Sequence, residues 1–298
     1  MGAREPVSAD LSGAATLGAS EPSVSRKEVA MKSTVRIFVL AAFSVAAPIG
    51  AQWLNYPSSD VPRTKDGKAN LSARTPKVRD GKPDFSGIWR AEPDPQGKPE
   101  GVENEIFPRY FVNIAMDLKP EEVVLRSSAD TLFKERLESE GKNAPEAHCV
   151  PVGVPGIITF PTPFKVVQMP RLIIMLYEKD TTYRQIFMDG RPLPRDPNPS
   201  FMGYSVGRWE ADTLVVESVG FRDDGWLDRM GHPHSDQLHL TERYRRRDFG
   251  HLSVEMTIDD PNTYAKPFTY TQPVVLLPDT DLLEYYCTEN EKDIRHFK

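Results

Sequence analysis

Proline is the residue that most constrains this chain, because it accounts for 27 of the 298 residues. Proline has no backbone N–H donor and is excluded from helix interiors and from central strands. Such a high proline content favours a loop-rich β protein and argues against a helical bundle. The chain also lacks the alternation of strand and helix patterns that a doubly wound sheet or a TIM barrel requires.

Short segments of apolar, β-branched and aromatic residues, separated by turn-forming residues, recur along the chain. About ten have the pattern of strands: 85–89, 164–169, 172–178, 183–188, 203–209, 213–219, 238–246, 252–258, 268–277 and 282–287. This number and spacing predict a mainly β fold, either an antiparallel, lipocalin-like barrel or a sandwich. One helix is predicted over 119–140, where Pro120 suits the first turn.

These patterns divide the chain into four parts. Residues 1–30 lack periodicity and are interpreted as an over-extended start, and 31–51 as a signal peptide. Residues 52–85 form an extended polar arm with two Asp-Gly turns, either draped over the domain or disordered. Residues 86–298 are expected to form a single β-rich domain that includes the helix.

The signal peptide is inferred from three features of residues 31–51. Lys32 and Arg36 give a positive start, an apolar run follows over 37–47, and Ala51 offers a small residue for cleavage. We therefore expect a periplasmic or secreted protein with no stable membrane anchor after cleavage. A retained N-terminal anchor is the alternative.

Cys149 and Cys287 are the only cysteines. In an oxidising compartment an isolated pair usually forms a disulfide, which here would join the end of the helical segment to the last strand. Two buried free thiols are the alternative.

The formal net charge of −6 gives the chain no general positive field with which to bind nucleic acid or anionic lipid. Its one basic cluster comprises Arg243, Arg245, Arg246 and Arg247. We interpret this cluster as the solvated end of a hairpin.

Four motifs carry a resemblance: DGKPDFSGIW at 80–89, DGRP at 189–192, GYSVGRWE at 203–210 and GHPHS at 231–235. They resemble motifs of a family of exported, β-rich bacterial proteins that has no known activity. The resemblance covers most of the chain from about residue 80 and implies export and a β fold. One departure is Ala211, where the family pattern suggests glycine, and this should affect turn stability more than function.

Residues 203–207 match the G-x-S-x-G pattern of a serine nucleophile, which requires a strand, a sharp turn and a helix. Strand patterns lie on both sides of Ser205, so we interpret it as a strand residue.

His232 and His234 are the leading candidates for chemistry. Two histidines two residues apart in an extended segment can bind one divalent metal, with Glu217 or Glu242 as a carboxylate ligand. The match to the cupin pattern is partial, because a carboxylate is missing at the expected distance. An acid/base role without metal, or a polar loop ordered by the histidines, remains open.

The other candidates would surround a pocket. Asp189 and Arg191 either form a tight turn or clamp an anionic substrate group. Arg184, Glu217, Glu242 and Arg243 interrupt otherwise apolar strands. On a solvated strand face they carry no function, but Glu217 and Glu242 would need partners if they pointed inward. The aromatic walls would be Tyr204, Trp209 and Trp226.

These residues predict a barrel that binds a small molecule in a mixed polar and aromatic pocket. The alternative is a lyase, isomerase or hydrolase that uses His232 or His234, with Asp189 and Arg191 orienting the substrate. A structural or envelope-interaction protein is the third possibility.

The signal peptide generates the first testable prediction. Exported protein should begin at Gln52, because cleavage after Ala51 removes the positive start and the apolar run. N-terminal sequencing of protein from the periplasm or medium measures this directly. A mature terminus located before Met31 would contradict the prediction.

Overall fold

Nine strands close into one barrel in the computed structural model, which describes residues 56–95 and 106–287. In chain order they are β1 (Gly87–Ala91), β2 (Phe164–Met169), β3 (Leu172–Tyr177), β4 (Thr182–Phe187), β5 (Tyr204–Glu210), β6 (Thr213–Val219), β7 (His239–Arg246), β8 (His251–Asp259) and β9 (Phe268–Leu276). The predicted β fold is confirmed, and it is a closed barrel rather than a sandwich. The predicted signal peptide and the segment before it lie outside the described residues.

Neighbouring strands are antiparallel around the barrel except at one seam, where β4 and β5 run parallel. The seam has only two registered pairs, Ile186 with Ser205 and Phe187 with Val206. The connection 188–203 returns the chain to the end from which β4 started, so β5 repeats the direction of β4. The barrel is therefore mixed rather than wholly antiparallel.

Alternation along the strands points every second side chain into the barrel. Leu240, Glu242, Tyr244 and Arg246 are the buried positions of β7, and the residues between them are more exposed. The apolar core includes Trp89, Phe164, Ile173, Met175, Ile186, Leu214, Val216, Val254, Met256 and Val274. Burial of each large apolar side chain contributes about 1.5–3 kcal/mol, so this core is the main source of stability.

The principal helix, α1 (Ser127–Glu138), is shorter than the predicted 119–140. Its start is set by tertiary pairing. The N–H of Ala265 donates to Val124, and the N–H of Arg126 donates to Thr263, so the chain before Ser127 is extended. The remaining helical elements described are a single α-turn at Gly156–Thr159 and 3₁₀ turns at Pro145–His148 and Lys179–Thr181.

The predicted tenth strand at 282–287 is wrong. Strand β9 already pairs with β1 and closes the barrel, so no sheet edge is left for another strand. The backbone N–H of Leu283 donates instead to the Glu178 carboxylate, and that of Tyr285 to the Thr181 hydroxyl.

The predicted disulfide is confirmed. Cys149 and Cys287 are bonded, with their Cα atoms 5.5 Å apart and their positions separated by 138 in sequence. Restricting so long a loop in the unfolded chain contributes about 4–5 kcal/mol in the chain-entropy account. The bridge ties the segment after α1 to the segment after β9, rather than to a strand.

Different segments cover the two ends of the barrel. The helix end carries α1 and the connections 220–238 and 260–267, and the arm end is crossed by the arm, residues 56–85. Backbone N–H groups of Phe249 and Gly250 donate to Ala73 and Leu71 of the arm. The described part of the arm is therefore draped over the barrel.

Ala211, in the turn between β5 and β6, has a φ of +51°. The left-handed region costs a residue with a Cβ about 1–2 kcal/mol, whereas glycine enters it freely but loses about 0.5–1 kcal/mol more chain entropy. Ala211→Gly should therefore stabilise the protein by about 0.5–1 kcal/mol, measured by urea denaturation. The control Ala129→Gly, inside α1, should destabilise it by about 1 kcal/mol. A loss of stability in Ala211→Gly would contradict the strain argument.

Candidate functional site

The predicted site residues do not form one cluster. Glu242 lies inside the barrel, His232 and His234 lie at the helix end, and Trp209 lies at the arm end. Asp189, Arg191, Tyr204 and Glu217 lie on the outer surface of the barrel and its loops.

A buried ion pair occupies the barrel interior. The Arg184 guanidinium donates through both Nη atoms to the Glu242 carboxylate, and its Nε donates to Ser205 Oγ at 3.0 Å. The Ser218 hydroxyl accepts from Arg184 at 2.8 Å, and the Tyr244 hydroxyl donates to Glu242 at 2.7 Å. Burial alone would lower the pKa of Arg184, but the Glu242 carboxylate outweighs it and the net shift is upward.

This network also decides the role of Ser205. The Ser205 hydroxyl accepts hydrogen bonds from Arg184 and Ser218. The residue lies within β5, and the next element along the chain is strand β6, not the helix that a nucleophile elbow requires. A serine nucleophile needs a base to take its proton, and an arginine donor cannot be one. Ser205 is therefore a strand residue that holds the ion pair in place.

The histidine loop is organised by Asp228, a residue that the sequence motifs did not indicate. One carboxylate oxygen accepts from the Ile114 N–H at 2.8 Å and from His232 Nδ1 at 2.6 Å, and the other accepts from the Gly231 N–H at 3.0 Å. The His232 ring also stacks on Phe133 of α1, with 4.3 Å between centroids. His232 is thus fixed on both sides.

His234 is buried and packs against the helix end of the barrel. Its Nδ1 bonds to the backbone carbonyl of Ser235 at 3.2 Å, and its ring lies edge-on to Phe221 at 6.2 Å. Burial lowers the pKa of His234, so the ring is held neutral at pH values where an exposed histidine begins to charge.

The residues predicted as metal ligands do not come together. Glu242 is bound to Arg184 inside the barrel, and Glu217 pairs with Arg208 at 2.5 Å on the outside. Within 56–95 and 106–287, no group of three or more His, Cys, Asp or Glu side chains is arranged to hold a metal ion. His232 and His234 are accounted for by loop packing.

Trp226 has a different partner from the one expected. The Arg136 guanidinium of α1 lies 5.0 Å from the centre of the Trp226 ring and donates to the carbonyls of Gly225 and Gly231. Trp226 therefore packs α1 onto the histidine loop.

Asp189 and Arg191 form the tight-turn pair rather than an open clamp. Arg191 donates from Nε and Nη2 to Asp189 and from Nη1 to the Tyr204 hydroxyl at 3.0 Å. Its guanidinium also lies 3.9 Å from the centre of the Phe187 ring. The hydrogen bonds from Arg191 lower the pKa of Asp189 to about 2. Both charges are thus engaged with each other.

A cavity of about 330 Å³ opens at the arm end, between the barrel and the second Asp-Gly turn of the arm. We name it the mouth cavity. It is lined by Val78, Arg79, Asp80, Gln168, Met169, Pro170, Ile173, Met188 and Trp209. Trp209 is the one predicted ligand-binding residue that lines it, and His232 and His234 do not.

The walls of the mouth cavity are held by specific contacts. Trp209 stacks on Phe85 of the arm, with ring centroids 5.6 Å apart and planes 5° from parallel. The Gln168 side chain accepts from the Phe85 N–H at 2.7 Å and donates to the Pro83 carbonyl at 3.1 Å. Lys82 Nζ lies 5.9 Å from the centre of the Trp209 ring. The arm and the barrel therefore form the cavity together.

Comparison with known proteins identifies no relative: no family model, no curated protein and no solved structure matches this chain. Among the described residues, no helix has both the length and the apolar character needed to cross a membrane.

The buried state of His234 generates a prediction about pH. Because its folded pKa lies below the unfolded value of about 6.5, the unfolded chain binds the extra proton first as the pH falls. The free energy of unfolding should therefore decrease below pH ~6.5, by up to about 1.4 kcal/mol per pH unit from this residue. The variant His234→Asn keeps a hydrogen-bond donor near the Ser235 carbonyl but cannot titrate. In this variant the contribution of residue 234 to the pH dependence of the free energy of unfolding should disappear. Urea denaturation at a series of pH values measures it, and an unchanged slope in the variant would contradict the assignment.

Proposed function

We propose that this protein is an exported β-barrel that binds a small molecule in the mouth cavity. The observation that carries the proposal is the aromatic wall formed by Trp209 at an opening of about 330 Å³. Ligand sites are typically concave, mostly apolar and supplied with a few polar groups, and they commonly lie in the mouths of barrels. The mouth cavity combines these properties.

The lining indicates the class of ligand. Met169, Ile173 and Met188 line the cavity together with Trp209 and suit a compact apolar or planar group. Arg79, on the exposed arm turn, has no hydrogen-bond or ion-pair partner among the described residues. A ligand with a planar apolar body and one anionic or strongly polar group matches this arrangement.

Export is supported by two observations of different kinds. The Cys149–Cys287 disulfide is of the type that persists in oxidising compartments. The features of residues 31–51 indicate a signal peptide, and the motif resemblance implies the same destination.

The test uses 8-anilinonaphthalene-1-sulfonate, a fluorescent probe with a planar apolar body and one anionic group. Met169→Glu should weaken its binding by about tenfold or more, because a carboxylate placed in the apolar wall must be desolvated and also repels the sulfonate. Trp209→Ala should have a similar effect through loss of the aromatic wall. Fluorescence titration measures both affinities.

The matched control is Met116→Glu. Met116 is 36% exposed and Met169 is 38% exposed, so the two substitutions add the same charge at equally accessible methionines, but Met116 does not line the mouth cavity. The control should bind the probe within about twofold of wild type, well below the tenfold change that 1.4 kcal/mol represents. Equal losses in both glutamate variants, or none in either, would reject the mouth cavity as the binding site.

A further inference from the structure

A second cavity, of about 520 Å³, lies on the other side of the arm from the mouth cavity. We name it the basic cavity. Its walls come from the arm, through Thr75, Lys77 and Pro83, and from the β5–β6 turn, the end of β7, the β7–β8 turn and β8. The barrel contributes Asp212, Arg245, Arg246, Arg247 and Ser253. Four cationic side chains and one carboxylate therefore line one concave space in a chain whose net charge is −6.

We propose that the basic cavity binds a multivalent oxyanion, a small molecule that carries phosphate or sulfate groups. Clefts lined by one sign of charge focus the electric field and concentrate ions of the opposite sign. Guanidinium groups suit phosphate and sulfate because their planar forks donate to two oxygens at once. This proposal is independent of the ligand in the mouth cavity.

The partners of the cationic groups support the proposal. Arg245 has no hydrogen-bond or ion-pair partner for its guanidinium among the described residues. Arg247 has one loose contact, its Nε lying 3.3 Å from Asp248, and Lys77 Nζ lies 3.5 Å from Asp212. These three groups therefore retain donors that a bound anion can use.

Arg246 has a different role in the same cavity. Its guanidinium donates to the carbonyls of Asp84, Asp248 and Phe249 and lies 4.8 Å from the centre of the Trp89 ring. These contacts engage each of its three nitrogens and hold the arm against the barrel. Arg246 thus fixes the wall of the cavity, while Arg245 and Arg247 remain exposed for the ligand.

Neutral donors complete the site. Thr75 from the arm and Ser253 from β8 also line the cavity, and the Ser253 hydroxyl makes one long contact, 3.5 Å from the Arg245 carbonyl. In the sheet, Arg245 of β7 is paired with Ser253 of β8 on one side and with Thr213 of β6 on the other. Arg245 is therefore placed on a rigid sheet surface rather than on a mobile loop, which suits recognition of a specific anion.

The experiment measures binding of tripolyphosphate by isothermal titration calorimetry at low ionic strength. Replacing Arg245 and Arg247 by Gln together should weaken binding by about tenfold or more, because charge-assisted hydrogen bonds to the anion are lost. Both side chains are exposed, so circular dichroism should show an intact fold. Added salt should weaken wild-type binding.

The matched control is Arg243→Gln. Arg243 lies on the same strand but is paired with Glu210 at 2.9 Å and Glu255 at 3.8 Å, outside the cavity. Its loss should change affinity by less than about twofold. A second variant, Thr75→Val with Ser253→Ala, leaves the net charge unchanged and should still weaken binding measurably if the anion sits in the cavity.

Three results would overturn the proposal. In the first, wild type fails to bind tripolyphosphate. In the second, Arg243→Gln, which removes one charge where the double variant removes two, weakens binding by half or more of the double variant's change in binding free energy, which would show a response to net charge alone. In the third, vesicles of phosphatidylglycerol bind the protein through Arg245 and Arg247 and tripolyphosphate does not compete, which would show a membrane-facing patch.

Discussion

The buried pair of Arg184 and Glu242 is the constraint on which the rest of the barrel depends. Removing two charges from water costs several kcal/mol for each ion, so both must be fully hydrogen-bonded inside the barrel. Ser205, Ser218 and Tyr244 supply the remaining partners, and they come from β5, β6 and β7. Loss of either charge would leave the other uncompensated, a defect that typically costs about 3–5 kcal/mol.

The network is placed where the sheet is weakest. The parallel seam between β4 and β5 has only two registered pairs, whereas the antiparallel β7–β8 pairing has eight. Arg184 of β4 bonds to Ser205 of β5 across that seam and to Glu242 beyond it. Side-chain bonds thus supplement the sparse backbone pairing. A one-residue slip of either strand would turn these side chains to the outer face, so the network also fixes the register.

The same arrangement explains why binding is located at the end of the barrel rather than at its centre. The centre holds the ion pair and its partners, and large apolar side chains surround it. Ser205, Gly207 and Trp209 are alternate residues of β5 and therefore lie on the same, inward face of the strand. A Cβ at Gly207 would lie 2.4 Å from the Met188 sulfur and 2.9 Å from Ile186, so glycine lets Met188 pack beneath Trp209. The floor of the mouth cavity depends on that absence of a side chain.

Much of the sheet could be predicted from the sequence because strand alternation is a local property. The segments at 164–169 and 213–219 match β2 and β6 residue for residue. The start of α1 could not be predicted, because the pairing of residues 124–126 with the β8–β9 connection is a contact between distant parts of the chain. The prediction of a strand at 282–287 was wrong for a related reason. A further strand needs a free sheet edge, and the pairing of β9 with β1, which are far apart in sequence, leaves none.

The candidate site was harder to predict because proximity in sequence does not give proximity in space. His232, His234 and Glu242 lie within eleven positions, yet His232 packs against α1, His234 packs against Phe221, and the glutamate points into the barrel. The charged residues inside strands were the informative signal, because a buried Glu242 needs a partner, and the structure supplies Arg184. The lining of the mouth cavity had no such signal, since it is assembled from the arm, the β2–β3 turn and β5.

The arm links the two cavities through its backbone conformation. Lys77 lines the basic cavity, and the next two residues, Val78 and Arg79, line the mouth cavity. The arm is thus a common wall, held on the barrel by Arg246 at one side and by Gln168 at the other. Burial lowers the pKa of Arg246 to about 10, which leaves it charged at neutral pH and able to donate to the carbonyls that it holds. Because one segment separates both spaces, any displacement of the arm changes the shape of both cavities together.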